Sequence, residues 1–184
     1  MATKSRATID DLYHVPEDGK AEIVNGELVL MSPTGAKSGR SSSAIYFSLL
    51  GHERRTGSGY AIPDNVGFIV HLPNRSSFSP DAAFYAGESP LGMKFLEGAP
   101  VFAVEVRSEG DYGPKAEREM AAKRADYFAA GTKVVWDVDL LGEDTVRAYP
   151  VTDPERPRIY RRGQLADAEP AVPGWSMPVD DLFV

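Results

Sequence analysis

The stretch "FAVEVRSEGD", residues 102–111, combines the pattern of a buried strand with a charge at its centre. Glu105 stands in the middle of the apolar run, and Arg107 follows two places later; the apolar residues are Phe102, Ala103, Val104 and Val106. An unpaired buried charge costs several kcal/mol, so such a residue normally has a partner, a bound metal or a shifted pKa. What lies beside this strand therefore decides both the fold and the site.

A second acid occupies an equivalent place in the strand candidate before it, "SFSPDAAFYA", residues 77–86. Side chains alternate along a strand, so Glu105 and Arg107 share one face, and Asp81 shares a face with Ala83 and Tyr85. If the two strands are neighbours, Asp81 and Glu105 converge, and two adjacent carboxylates repel unless a proton or a cation intervenes. Mg²⁺ prefers such oxygen ligands. The alternative is a pair of edge carboxylates, one of them bridged to Arg107.

A helix predicted from Pro114 to Ala130, with Gly131 in the stop position, carries a candidate third member of the site. One stripe of this helix is apolar apart from a single lysine; it comprises Ala116, Met120, Lys123, Tyr127 and Ala130. Lys123 either extends along the packed surface towards water or reaches the site between the two acids.

Outward from this centre, the chain alternates strand and helix signals. Asn25-Gly26 within residues 20–32 predicts a hairpin. A helical pattern covers residues 37–55, and further strands are predicted in "VGFIV", "KVVWDVD" and "DTVRAYP", with an irregular tail from Asp153. These signals predict a single domain over residues 1–184, of α/β or α+β class, with one mixed sheet flanked by helices.

Composition narrows the function classes. The chain of 184 residues has no cysteine, which excludes disulfides and thiolate metal sites and suits a reducing cytoplasm. No signal peptide and no apolar run of ~20 residues is present, so we expect a cytoplasmic protein without a membrane partner. The net charge of −7 argues against a wholly basic nucleic-acid-binding surface, although "PERPRIYRRG", residues 154–163, is locally basic.

Two familiar catalytic motifs do not fit. Gly35 and Gly39 enclose three residues and are followed by Arg40-Ser41, whereas a phosphate-binding P-loop needs four residues and then a lysine with serine or threonine. No Gly-x-Ser-x-Gly elbow is present, and the histidines are scattered without metal-ligand spacing: His14, His52 and His71.

Several segments together resemble a known family. They are Pro80-Asp81, then Glu105-Val106-Arg107-Ser108, then "AEREMAAKRADYFAAG" followed by "VVWDVD", with "AEIVNGELVLMSPTG" near the start and "PGWSMPVDDLF" near the end. This combination is similar to the Uma family of bacterial restriction endonucleases, within the PD-(D/E)XK nuclease superfamily. The resemblance covers nearly the whole chain.

The resemblance implies a restriction-endonuclease-like fold with a mixed central β-sheet, flanking helices and an N-terminal β-hairpin. It implies a metal held by Asp81, Glu105 and the Val106 carbonyl, with Glu22 completing the site. Lys123 matches a helix lysine that replaces the one usually found at the position of Arg107. Arginine stays protonated, so Arg107, with Ser108, is expected to bind the substrate backbone.

The function expected from these residues is that of a Mg²⁺-dependent endonuclease acting on DNA, with Mn²⁺ as a possible substitute and a homodimer as the expected assembly. The alternative is a non-catalytic nuclease-fold module that binds nucleic acid or a partner protein. A glycosidase with paired carboxylates is disfavoured, because nothing in the sequence suggests an aromatic platform for a sugar.

Overall fold

The computed structural model describes residues 6–15, 19–143 and 145–183. Within them the helices are α1 (Ile9–Tyr13), α2 (Ala36–Thr56), α3 (Pro114–Ala129) and a C-terminal 3₁₀ helix (Val179–Phe183). The strands are β1 (Ala21–Val24), β2 (Glu27–Leu30), β3 (Tyr60–Ile62), β4 (Phe68–Ile69), β5 (Ser77–Phe78), β6 (Ala82–Tyr85), β7 (Leu96–Glu97), β8 (Phe102–Val106), β9 (Val134–Val138), β10 (Val146–Pro150), β11 (Arg158–Tyr160), β12 (Leu165–Asp167) and β13 (Ser176–Pro178).

The centre of the fold is a six-stranded mixed sheet with the order β11-β10-β9-β8-β6-β3. The strands of the two acids are neighbours, because β6 pairs with β8 in antiparallel orientation. Strand β8 then pairs with β9 in parallel orientation, which places Asp137 beside Glu105. The predicted adjacency of the two acid-bearing strands is thereby confirmed.

Both faces of the central sheet are covered. Val104 and its same-face neighbours on β8 pack with Ile45 and Leu49 of α2 in one hydrophobic core. Ala103 lies on the opposite face and packs with Tyr127 of α3 in a second core. Glu105 belongs to the α3 face, as the alternation along β8 predicts.

The hairpin of β1 and β2 lies outside the central sheet and carries Glu22. Its turn is the predicted one, since Asn25 and Gly26 have φ angles of 52° and 76°. Hydrogen bonds fix the hairpin to the rest of the chain. Among them, the Ile23 N–H donates to Ser77 Oγ at 2.8 Å, and the Ser76 N–H donates to the Ile23 carbonyl at 3.0 Å.

Two segments differ from the sequence prediction. "VGFIV" contributes only β4, in a separate sheet ordered β5-β4-β7, because the chain turns back between Leu72 and Arg75 and pairs β4 with β5. The tail, predicted to be irregular, forms β11, β12 and β13. Pro178 ends β13, a position on a two-stranded sheet that tolerates a residue without an N–H donor.

Some predicted positions lie outside the described residues. These are residues 1–5, 16–18 and 184 of the predicted domain, and Asp144, with which the segment "DTVRAYP" begins. In the part of the chain that the structure describes, no helix has both the length and the apolar character needed to cross a bilayer.

Candidate active site

Asp81 and Glu105 meet at one end of the β6–β8 pair. The amide of Asp81 donates to the Val104 carbonyl at 3.0 Å, which fixes Asp81 immediately before β6. Its carboxylate Oδ2 accepts the Val106 N–H at 2.8 Å, one residue beyond Glu105. The two acids are therefore brought to the same place by backbone pairing, as the sequence predicts.

Lys123 reaches this site from α3. Its ammonium lies 2.9 Å from the carboxylate of Glu105 and 3.0 Å from Oε1 of Glu22. Tyr127, one helical turn further on, donates its hydroxyl to Oε1 of Glu105 at 2.7 Å. Of the two orientations open to Lys123 in the sequence, the structure shows the one that points into the site.

Glu22 is the most buried acid of the group, with 3% of its side chain exposed. Oε1 also accepts the Ser79 N–H at 2.9 Å, and Oε2 accepts a bond from Arg75 at 2.5 Å. Arg75 continues to Asp126 at 2.8 Å, three residues along α3 from Lys123. Glu22 thus links the hairpin to the helix that carries Lys123.

The charges of the site shift its pKa values in different directions. Burial raises the pKa of Glu105 to about 7; Asp81 and Glu22 add to the rise, and Lys123 opposes it. Burial also opposes the charged form of Lys123, but Glu105 and Glu22 outweigh it and raise the pKa of the ammonium. For Glu22, Lys123 and Arg75 outweigh burial and lower its pKa. At neutral pH, Lys123 is a fixed cation and Glu105 is the group that titrates.

A second lysine contacts the site from the hairpin side. Lys20 Nζ lies 3.0 Å from Oδ1 of Asp81 and 2.7 Å from Oδ1 of Asp64, and 14% of its side chain is exposed. Burial opposes its charge, but Asp81 and Asp64 outweigh this and raise the pKa of the Lys20 ammonium. The site therefore contains two ammonium groups.

Arg107 lies in a separate ion-pair cluster. Its guanidinium forms a fork with Asp137, with both N–H···O distances at 2.7 Å, and bonds Glu117 of α3 and the Asp111 carbonyl. These five bonds use all five N–H donors, and the residue is 5% exposed. Contact with a substrate would require some of these bonds to open, so the predicted substrate-binding role of Arg107 stays a prediction.

Ser108, the other residue predicted to bind substrate, is half-buried beside this cluster. Its N–H donates to Oδ2 of Asp111 at 2.6 Å. This bond shapes the turn after β8 and does not involve the serine hydroxyl, whose predicted role is untested.

Arg158 and Arg162 of the basic segment 154–163 pair with acids of the same chain. Arg158 bonds Asp167 at 2.9 Å, and Arg162 bonds Asp180 at 2.8 Å. Internal pairing of this kind reduces the positive potential that the sequence suggests for this surface.

The donor chemistry at Asp81 and Glu105 fits Mg²⁺ or Mn²⁺. Within residues 6–15, 19–143 and 145–183, no three acidic or histidine side chains form a group that could hold a metal ion. Mg²⁺ keeps several waters, however, and commonly binds through one or two carboxylates. The ammonium groups of Lys20 and Lys123 already lie against these carboxylates, so a metal ion would compete with them for the same oxygens.

The sequence prediction missed four members of the network: Lys20, Asp64, Arg75 and Asp126. Two of them have a local signal. Lys20 is two residues from Glu22 and so lies on the same face of the hairpin strand, and Asp126 is three residues from Lys123 on the helix. Asp64 and Arg75 lie in loops and have no such signal.

Comparisons with known proteins identify the family and the fold. The model of the Uma2 family, described as "Putative restriction endonuclease", matches residues 7–180. Among solved structures, the chain resembles a "putative nuclease belonging to DUF820" from Anabaena variabilis, with a TM-score of 0.73 and 16% identity, over 96% of this chain and 97% of that one. At this identity the likeness shows the fold, which is restriction-endonuclease-like. A comparison with curated proteins gave no match.

Proposed function

Because this chain belongs to the Uma2 family, whose model is described as "Putative restriction endonuclease", we propose that it hydrolyses phosphodiester bonds of DNA with the help of a divalent metal ion. The observation that carries the proposal is the meeting of Asp81, Glu105 and Lys123 at one end of the β6–β8 pair. Acids from adjacent strands and a cation from a helix form the kind of charged site that phosphodiester hydrolysis requires.

Asp81, Glu105 and the carbonyl of Val106 are the proposed ligands of Mg²⁺ or Mn²⁺. When bound, the metal lowers the pKa of a water ligand and neutralises charge on the phosphate. The pKa of Glu105, about 7 in the metal-free protein, means that metal and proton compete for this carboxylate near neutral pH.

Lys123 is proposed to stabilise the charge that develops on the phosphate. A raised pKa keeps its ammonium protonated at neutral pH, so it acts as a donor and a positive charge and not as a base. Glu22 and Tyr127 hold the geometry around it: Glu22 bonds the ammonium at 3.0 Å, and Tyr127 donates to Glu105 at 2.7 Å.

We further propose that residues 1–184 form one domain and that two copies act together, since a symmetric pair places one site on each strand of a duplex. The composition argument favours the cytoplasm as the compartment.

The non-catalytic alternative remains a second candidate, and one observation favours it. Asp81 and Glu105 already have ammonium partners, Lys20 and Lys123, and these ion pairs can serve a structural purpose. In that case the fold would bind nucleic acid or a protein without cutting.

Cleavage of plasmid DNA by the purified protein, with Mg²⁺ or Mn²⁺ and with EDTA, tests the proposal. We expect metal-dependent nicking or linearisation that disappears in Asp81→Asn and Glu105→Gln, while Glu119→Gln, which alters an exposed acid of α3, cuts normally. DNA binding with Ca²⁺ but no cleavage with any of these metals would support the non-catalytic alternative. Cleavage that survives both substitutions would refute the site.

A further inference from the structure

Lys20 makes a contact that matters for any metal at Asp81. Its ammonium lies 3.0 Å from Oδ1, while the other carboxylate oxygen accepts the Val106 N–H. Both oxygens of this proposed ligand are therefore engaged, one of them by a positive charge. The backbone at Lys20 is itself anchored, since its carbonyl accepts the Met31 N–H at 2.9 Å.

A divalent ion and the Lys20 ammonium conflict at the same carboxylate. An ion bound to Oδ1 at ~2.1 Å would lie within a few ångströms of the ammonium. Two cations at such separation in a largely buried site repel strongly. Metal binding at Asp81 thus requires the ammonium to move away.

Asp64 offers the ammonium a second position. Its Oδ1 lies 2.7 Å from Lys20 Nζ and also accepts the Asn65 N–H at 2.7 Å, which fixes the carboxylate in its turn. Asp64 is more exposed than Asp81, with 33% against 14% of the side chain accessible. A small rotation of the flexible lysine side chain would leave it paired with Asp64 alone.

We propose that Lys20 is an internal competitor for the metal at Asp81, and that Asp64 is the acceptor to which its ammonium withdraws when the metal binds. The inference rests on the metal site of the proposed function and adds to it a pair of residues that set metal affinity. Through this pair, the chain keeps Asp81 neutralised without metal and makes the ligand available when the ion arrives.

Competition predicts opposite effects for the two residues. Lys20→Met removes the competitor and should tighten Mn²⁺ binding by about tenfold, within the usual range of coupling between two sites. Asp64→Asn removes the second acceptor, leaves the ammonium on Asp81 and should weaken Mn²⁺ binding by a similar factor. Lys115→Met removes an exposed lysine charge of α3 and should leave the affinity unchanged.

The double substitution separates competition from a general effect of charge. A simple electrostatic field would make Asp64→Asn weaken Mn²⁺ binding by the same factor whether or not Lys20 is present. Competition requires that most of this loss disappear in the Lys20→Met background, because no ammonium then needs an acceptor.

Isothermal titration calorimetry with Mn²⁺ on the full chain measures these affinities. Circular dichroism and Tm verify that each variant is folded, and Lys20→Gln replaces Lys20→Met if the latter does not fold. We expect Mn²⁺ to bind more tightly without Lys20. We also expect Asp64→Asn to weaken Mn²⁺ binding only when Lys20 is present. If the wild type binds Mn²⁺ and removing Lys20 leaves the affinity unchanged or weaker, the competition is overturned and the proposed function stands. The same holds if Asp64→Asn weakens Mn²⁺ binding by the same factor with and without Lys20. No Mn²⁺ binding by any variant overturns both.

Discussion

Replacing Glu105 with glutamine should stabilise the metal-free protein above neutral pH and have little effect in mild acid. Burial, with added repulsion from Asp81 and Glu22, raises the pKa of Glu105 from 4.5 to about 7 against the opposing charge of Lys123. In the unfolded chain the carboxyl titrates near its ordinary value. Between these two pH values the folded state keeps a proton that the unfolded state has lost.

The sign follows from this difference. The contribution of Glu105 to the free energy of unfolding is fully present below pH 4.5 and is lost as the pH rises through about 7. The pKa rise corresponds to about 3 kcal/mol, at about 1.36 kcal/mol per pH unit. Glutamine has nearly the shape of the protonated acid and no charge to lose, so the variant avoids this loss.

Urea denaturation in EDTA at pH 5 and pH 8 measures the effect. The quantity of interest is the free energy of unfolding of Glu105→Gln minus that of the wild type. We expect this difference to be about 2 to 3 kcal/mol larger at pH 8 than at pH 5. Glu119→Gln, at an exposed acid, should show a difference within about 0.5 kcal/mol at both. A difference for Glu105→Gln that does not change with pH, or that falls as pH rises, would refute the argument that burial keeps this carboxyl protonated.

Three further predictions concern the basic side chains. Lys123→Met should lower single-turnover DNA cleavage by about 100-fold or more, and a wild-type rate would exclude Lys123 from the chemistry. Arg107→Met should lower the free energy of unfolding in urea by about 3 to 5 kcal/mol, because the buried Asp137 then loses its two short bonds and keeps only a contact of 3.9 Å with Arg147. A folded variant with normal stability and weak DNA binding would instead support the substrate role. DNA affinity in Ca²⁺, measured by fluorescence anisotropy, should fall steeply with salt. Arg162→Gln should hardly change the slope of this salt dependence, because Asp180 already pairs with the arginine. A marked change of slope would show that Arg162 contacts DNA.

The sequence predicts those parts of the site that depend on local pattern. Alternation along β8 gives the face of Glu105, helical spacing places Lys123 on the packed stripe of α3, and Asn25-Gly26 gives the hairpin. The contacts that complete the site connect residues far apart in the chain. Lys20 and Asp64 are 44 residues apart, and Arg75 and Glu22 are 53 apart. No periodicity within one element reports such pairs.

The surroundings of Arg107 illustrate the same limit. Its face on the strand is predicted correctly, but its main partner, Asp137, comes from the parallel register between β8 and β9. That register is set by the packing of the whole sheet, so a local pattern cannot distinguish an arginine free to meet phosphate from one committed to a buried pair.

The hairpin of β1 and β2 has an electrostatic consequence for how the site assembles. It brings one positive and one negative side chain, Lys20 and Glu22, and each meets opposite charges on the body of the protein: Lys20 meets Asp64 and Asp81, and Glu22 meets Arg75 and Lys123. Docking the hairpin therefore adds no net charge to the site. The two sets of ion pairs select one orientation of the hairpin. If Lys20 and Glu22 exchanged places, the lysine would face Arg75 and Lys123, and the glutamate would face Asp64 and Asp81, so like charges would meet at both contacts.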